Sequence, residues 1–77
     1  MNIQIFYCVV WNYEKRAVGL AAELKEAYGI DPEIIPGKRG DFEVVVDGEL
    51  VFSKKIMSRF PEEGEITQLV SQWILQN

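Results

Sequence analysis

The chain has 77 residues, a hydrophobic content of 48% and a formal net charge of −4. This length predicts a single domain over residues 1–77, close to the lower limit at which an apolar core alone offsets chain entropy. The absence of histidine and the single cysteine exclude a Cys/His zinc site, a Cys-His or Ser-His catalytic pair and an internal disulfide, and the lack of a basic run predicts no nucleic-acid partner.

The first predicted element is a strand over residues 2–7, in which Ile3, Ile5 and Tyr7 alternate with the other side chains. Cys8 follows it directly, just before a helical pattern begins. A cysteine at such a junction can be stabilised as a thiolate by the unpaired backbone N–H groups of the helix start. Cys8 is therefore interpreted either as a reactive thiol or as a small apolar side chain packed at the strand end.

The second predicted element is an amphipathic helix that begins at about Tyr13. Its apolar positions recur at helical spacing: Ala17, Leu20, Ala21, Leu24, Ala27 and Tyr28. Asn12 is suited to be its N-cap, and Gly29 is suited to end it. Trp11 is interpreted as an aromatic ring packed over the helix start, the alternative being a ring that covers Cys8 or stacks on a ligand.

A short strand over residues 33–35 lies between two prolines and is followed by the loop "PGKRGD". The strand–helix–strand order predicts that the first two strands are parallel, with a right-handed crossover. Lys38 and Arg39 could hold an anionic group, or they could simply keep an exposed loop hydrated.

The segment "FEVVVDGELVF" predicts two antiparallel strands joined by Asp47-Gly48, a strong signal for a two-residue hairpin. Pairing Val46 with Glu49 divides the other side chains between two faces. One face would carry Phe42, Val44, Val46 and Val51, and the other Glu43, Val45, Leu50 and Phe52. Because both faces are apolar, a face that the helices leave uncovered is expected to contact a second copy of the chain or another partner.

The last predicted element is a helix from about Glu62, after the loop "SKKIMSRF". Its apolar stripe is interpreted as core, with Trp73 at its centre: Ile66, Leu69, Val70, Trp73 and Ile74. The acidic residues at its start are interpreted as charges that the helix dipole favours: Glu62, Glu63 and Glu65. The order β-α-β-β-β-α predicts an α/β, two-layer fold with a four-stranded mixed sheet.

Taken together, these segments resemble the small thioredoxin-like Rdx proteins related to selenoprotein W. The resemblance covers nearly the whole chain and rests on "YC", "NY", "PG", "GDFEV", "VDGEL", "SKK" and "FPE". It implies a thioredoxin-like fold and thiol redox chemistry associated with glutathione, through a C-x-x-C or Cys-x-x-selenocysteine motif between the first strand and the first helix. Here the motif is C-V-V-W, so Cys8 matches the first cysteine and Trp11 stands at the position of the second cysteine or selenocysteine.

Cys8 is thus the sole candidate nucleophile, expected to form a mixed disulfide with glutathione or with a partner protein thiol. We expect it to be partly exposed, with its pKa lowered by the backbone N–H groups near Asn12 and Tyr13. No other cofactor is expected, and whether the protein is an enzyme stays open. The alternative is a non-catalytic interaction module that binds another protein or itself.

The start of the chain, "MNIQIFY", lacks both the basic start and the apolar stretch of a signal peptide. No apolar run approaches the roughly 18 residues that indicate a membrane span. We therefore expect a cytoplasmic protein that does not associate with membranes.

Overall fold

A four-stranded mixed sheet forms one layer of the molecule in the computed structural model, which describes residues 1–77. The elements are β1 (Ile3–Tyr7), α1 (Glu14–Tyr28), β2 (Glu33–Pro36), β3 (Phe42–Val46), β4 (Glu49–Ser53), α2 (Lys54–Met57) and α3 (Glu65–Gln76). The strand order is β2-β1-β3-β4, with β1 and β2 parallel and β3 antiparallel to both of its neighbours. The predicted fold class, the parallel β1–β2 pair and the β3–β4 hairpin are confirmed.

Both long helices pack on one face of the sheet, where they share a single core with it. The side chains of β1 alternate between buried and partly exposed, as the sequence period predicts. The core comprises Ile3, Ile5, Tyr7, Ala17, Leu20, Leu24, Phe42, Val44, Val46, Phe52, Ile66 and Val70. Full burial of one large aliphatic side chain stabilises a fold by about 1.5–3 kcal/mol, so this cluster is the main source of stability.

Helix α1 ends as predicted but begins differently. Gly29 has φ 69° and donates its backbone N–H to the carbonyl of Lys25, which is a left-handed C-cap. Asn12 is not the N-cap: it has φ 60°, and Tyr13 holds the cap position without a side-chain hydrogen bond. Asn tolerates a left-handed backbone better than most residues, so Asn12 serves the tight turn before the helix instead.

The β3–β4 hairpin contains a β-bulge that the sequence pattern does not predict. The pairing of Val46 with Glu49 is confirmed, but Val51 has no partner on β3 and shifts the register by one residue. Phe52 consequently lies opposite Val44 and is buried. The predicted face of Phe52 is therefore wrong, because the bulge breaks the strict alternation on which it depended, whereas Val51 packs against the core as predicted.

The segment after β4, predicted as a loop, forms the short helix α2. Its N-cap is Ser53, whose hydroxyl accepts the backbone N–H of Ile56 at 3.2 Å. Helix α3 begins at Glu65, three positions after the predicted start, because Gly64 takes the N-cap position with φ 79°. None of the three helices combines the length and apolar composition needed to cross a membrane.

The apolar stripe of α3 is core only in part. Ile66 and Val70 are buried, and Trp73 is partly buried against the core cluster. Ile74 is 42% exposed. The Nε1–H of Trp73 donates to the carboxylate of Glu49, the first residue of β4, at 2.8 Å. The stripe therefore belongs to the core as far as Trp73, and the prediction that all of it is core is wrong for Ile74.

The second face of the sheet is not covered by α1 or α3. It carries Phe6, Ile35 and Val45, which are partly exposed, and Leu50, which is 48% exposed. The expectation that one sheet face stays uncovered is thus confirmed, and of the two faces that the sequence left open it is the one that bears Val45 and Leu50.

Candidate functional site

The turn between β1 and α1 places Cys8 where two loops meet. The backbone N–H of Cys8 donates to the carbonyl of Asp41 at 2.8 Å, which joins the end of β1 to the start of β3. Its own carbonyl accepts the N–H of Tyr13 at 3.0 Å, and the N–H of Asn12 donates to the carbonyl of Val9 at 3.0 Å. These bonds close a tight turn that holds the thiol between the strand and the helix.

The sulfur of Cys8 is buried and faces backbone donors. Its Sγ accepts the N–H of Trp11 at 3.3 Å, and the N–H groups of Val10 and Gly40 also face it. Its exposed fraction is 0%, so the expectation of a partly exposed thiol is wrong. A reactant can reach this sulfur only after the turn moves.

The pKa of the Cys8 thiol lies below its ordinary value. Burial raises it, but the N–H groups of Gly40, Trp11 and Val10 and the positive charge of Arg39 lower it by more. The direction of the pKa shift agrees with the sequence-based expectation. The surroundings therefore favour a thiolate despite the burial of the sulfur.

The donors agree with the prediction only in part, because the Trp11 N–H adjoins the predicted Asn12 but Asn12 and Tyr13 themselves do not contribute. The N–H groups of Asn12 and Tyr13 are already bonded to the carbonyls of Val9 and Cys8, so neither is free for the sulfur. The donor that the sequence could not indicate is Gly40, which belongs to a loop far away along the chain.

That second loop, residues 37–41, lies against the turn and brings charge with it. Lys38 and Arg39 are exposed, and only Arg39 lowers the pKa of Cys8 through its charge. Asp41 is buried, with its Oδ2 accepting the N–H of Lys38 at 2.7 Å and its Oδ1 at 2.6 Å from the Nζ of Lys55. An ion pair from α2 thus anchors the loop.

Trp11 packs over the helix start, as interpreted, and also over the second loop. Its ring meets that of Tyr13 edge-on, with 6.0 Å between the ring centroids. A Cβ on Gly40 would lie 3.1 Å from its Cζ3 atom. Half of the residue remains exposed, with an exposed fraction of 50%. The indole therefore bridges the two loops and presents one side to solvent.

Aromatic rings and cations continue this surface away from Cys8. Phe60 meets Tyr13 and Phe42 edge-on, at centroid distances of 4.7 and 5.4 Å. The guanidinium of Arg16 lies 3.9 Å from the centroid of Phe60, and the Nζ of Lys54 lies 5.2 Å from it. Glu62 and Glu63 line the same hollow as Arg16 and Phe60, so this surface carries charges of both signs.

Sequence reasoning located Cys8, Trp11 and Arg39 but missed Gly40, Asp41 and Lys55. The dipeptide "GD" after a cationic loop was the one available signal, since Gly and Asp favour tight turns. No three Cys, Asp or Glu side chains are grouped so as to hold a metal ion. The chemistry that the site can supply is that of a single thiolate beside a cation.

Comparisons with known proteins agree with the fold. The sequence model described as the Rdx family matches residues 2–72. Migration and invasion enhancer 1 of Mus musculus and that of Bos taurus are each 35% identical over 71 residues, covering 91% of this chain and 62% of theirs. The chain therefore spans less than two thirds of the length of these curated relatives.

Two crystal structures are similar over almost their whole length. A selenoprotein W-related protein from Vibrio cholerae has a TM-score of 0.88 and 28% identity, covering 95% of each chain. A protein from Bordetella parapertussis has a TM-score of 0.87 and 28% identity, covering 92% of this chain and 94% of its own.

Proposed function

The chain belongs to the Rdx family, and from that premise we propose that it acts in cellular thiol redox through Cys8 as a monothiol. Membership in this selenoprotein W-related group suggests a thioredoxin-like, redox-related function. The proposal goes further by naming the reactive atom and its partner, either glutathione or a protein thiol. The observation that carries it is the bond from the Trp11 N–H to the Cys8 Sγ at 3.3 Å, with the charge of Arg39 close by.

Because the chain has a single thiol, the reaction open to it is formation of a mixed disulfide at Cys8. The Cys8 thiolate attacks a sulfur of oxidised glutathione, a Cys8–glutathione S–S bond forms as the S–S bond of glutathione breaks, and one glutathione leaves as a thiolate. Because Trp11 occupies the position of a second thiol, the product cannot resolve within the chain. An external thiol must attack the glutathione sulfur of the mixed disulfide. Cys8 then leaves as a thiolate, and the attacking thiol is left in a disulfide with glutathione.

The surface around the sulfur offers apolar and cationic side chains to a partner that approaches the turn. Val9 and Val10 are 57% and 69% exposed, beside the half-exposed indole of Trp11. Lys38 and Arg39 are exposed on the facing loop and could pair with the carboxylates of glutathione or of a protein segment. Contact with this apolar, cationic surface would move the turn and expose the sulfur.

The test is formation of the adduct with oxidised glutathione, followed by mass spectrometry of the intact chain. We expect one glutathione per chain, reversed by excess dithiol, and none on the Cys8→Ser variant, which keeps a hydroxyl to accept the Trp11 N–H. Circular dichroism of that variant checks that it folds. Absence of the adduct in the parent protein, with a Cys8 pKa at or above that of a free thiol, would overturn the proposal.

A second candidate function is supported by the uncovered sheet face. This face carries Phe6, Ile35, Val45 and Leu50, interrupted by the polar side chains of Gln4 and Glu43. We propose that this face pairs with the same face of a second copy, which would make the protein an interaction module rather than a thiol reagent. Sedimentation should then depend on protein concentration, and Leu50→Lys should abolish that dependence. A strict monomer at high micromolar concentration would remove this candidate.

A further inference from the structure

Asp41 connects three parts of the chain around the Cys8 thiol. Its carbonyl accepts the N–H of Cys8 at 2.8 Å, and its own N–H donates to the carbonyl of Lys38 at 3.0 Å. Its carboxylate accepts the N–H of Lys38 at 2.7 Å through Oδ2 and pairs with Lys55 at 2.6 Å through Oδ1. The residue is only 8% exposed. One buried acid thus links the end of β1, the loop of residues 37–41 and α2.

The Asp41 carboxylate occupies a space that is open because residue 37 is a glycine. A Cβ on Gly37 would lie 2.7 Å from Oδ2 of Asp41, closer than non-bonded atoms approach. On the other side of the loop, the indole of Trp11 would crowd a side chain at Gly40, whose Cβ would lie 3.1 Å from the ring. The loop is therefore held between the carboxylate and the indole, with a glycine at each contact.

We propose that Asp41 is the positioning residue of the Cys8 site, because its two anchored oxygens fix the loop of residues 37–41 beside the sulfur. The loop carries the Gly40 N–H and the Arg39 charge, both of which act on the sulfur. Asp41 itself does not contact a reactant. The proposal rests on the proposed function, since Asp41 positions the loop for the Cys8 thiolate.

The effect of losing the Asp41–Lys55 pair depends on the charged groups around it. Arg39 faces the thiol from the loop, while Lys38 and Lys55 face Asp41 from the loop and from α2. Glu43 on β3 faces Lys55. Burial alone raises the pKa of Asp41, but its bonds and these two lysines lower it, so the carboxylate stays ionised at neutral pH.

The sign of the effect separates positioning from simple electrostatics. Removing a nearby anion would by itself favour the thiolate and lower the pKa of Cys8. Releasing the loop would instead withdraw the Gly40 donor and the Arg39 charge, and so raise the pKa of Cys8. A mutation of Asp41 that raises it therefore cannot be explained by the lost charge.

The experiment follows the thiolate absorbance against pH in the intact chain, whose single cysteine makes the signal specific. Asp41→Ala should raise the pKa of Cys8 and slow adduct formation with oxidised glutathione several-fold at neutral pH. Asp41→Asn, which keeps an acceptor for the Lys38 N–H, should have a smaller effect. The matched control is Asp31→Ala, which removes one carboxylate from the exposed Lys25–Asp31 pair and should change neither value.

A fall or no change in the pKa of Cys8 in folded Asp41→Ala would overturn the proposal, while the parent protein's own low pKa and adduct would leave the proposed function intact. Should Asp41→Ala fail to fold, Gly37→Ala provides the second measurement, because it crowds the carboxylate without removing a charge. An unchanged pKa of Cys8 in that variant would likewise overturn the proposal, and a raised one would support it.

Discussion

The two ends of the sheet are built differently, although each depends on left-handed backbone. At the hairpin end, Asp47 and Gly48 join β3 directly to β4 with φ values of 48° and 83°. The Oδ1 atom of Asp47 also accepts the N–H of Asn2 at 2.7 Å. At the thiol end, the turn after β1, the loop before β3 and helix α2 meet through hydrogen bonds and one ion pair, between the buried Asp41 and the half-exposed Lys55.

Gly40 and Gly48 bring out the difference. Their φ values are 82° and 83°, yet a Cβ on Gly48 would meet nothing within 4 Å, whereas one on Gly40 would meet the ring of Trp11. The backbone requirement is the same, but only Gly40 also faces the thiol. Mutations at the hairpin end should therefore change stability alone, and mutations at the thiol end should change stability and the reactivity of Cys8.

The largest effect is expected for Ile3→Ala in the core near the hairpin. Ile3 pairs with Val46 and is 1% exposed, so truncation should cost about 2–5 kcal/mol in the free energy of unfolding. Urea unfolding measures this loss. The milder Ile3→Val should cost about 0.5–1.5 kcal/mol and keep enough folded protein to titrate the thiol. A shifted pKa of Cys8 in the folded Ile3→Val variant would contradict the separation of the two ends.

The matched pair Gly40→Ala and Gly48→Ala tests the comparison most directly. Each places a Cβ on a left-handed residue, so each should lower the free energy of unfolding by about 1–2 kcal/mol, as measured by urea unfolding. Only Gly40→Ala should also raise the pKa of Cys8, because the new methyl group displaces the loop from Trp11 and from the sulfur. Equal pKa values of Cys8 in the two variants would break the comparison.

The smallest effect concerns an ion pair that lies apart from the thiol. Arg59 donates to both oxygens of Glu65, and this bond, with the Glu62 N–H, lowers the pKa of Glu65 to about 2. Because a carboxyl of the unfolded chain titrates near pH 4.3, this stabilisation is present above that pH and is lost as pH falls toward about 2.

Arg59→Met should therefore raise the pKa of Glu65 and make the protein slightly less stable at neutral pH, with a smaller further loss on acidification. Carboxyl NMR titration measures the pKa, and urea midpoints measure the stability. Arg16→Met is the control, since that cation lies over Phe60 rather than beside a carboxylate. An unchanged pKa of Glu65 in Arg59→Met would contradict the assignment.

The sequence predicts the hairpin end well because its signals are local. Asp47-Gly48 specifies the turn through the backbone preferences of two adjacent residues, and the pairing of Val46 with Glu49 follows from it. The face of Phe52 could not be predicted, because the bulge depends on packing of Phe52 into a core built from distant elements.

The thiol end was predictable only in outline. The period change after Tyr7 located Cys8 between strand and helix, which is a local signal. The Gly40 donor and the Asp41–Lys55 pair come from segments that only the tertiary fold brings to Cys8. Burial of the sulfur likewise depends on how two loops close together, so the predicted exposure was wrong.

The positions of the two indoles give the molecule a pair of optical probes. Trp11 is half exposed beside the sulfur, whereas Trp73 is tied to Glu49 near the hairpin at the opposite end of the sheet. Tryptophan emission depends on polarity and on quenching groups close to the ring. A change at Cys8 would thus alter the emission of Trp11 more than that of Trp73, and a Trp73→Phe variant would report the thiol end alone, with no added dye.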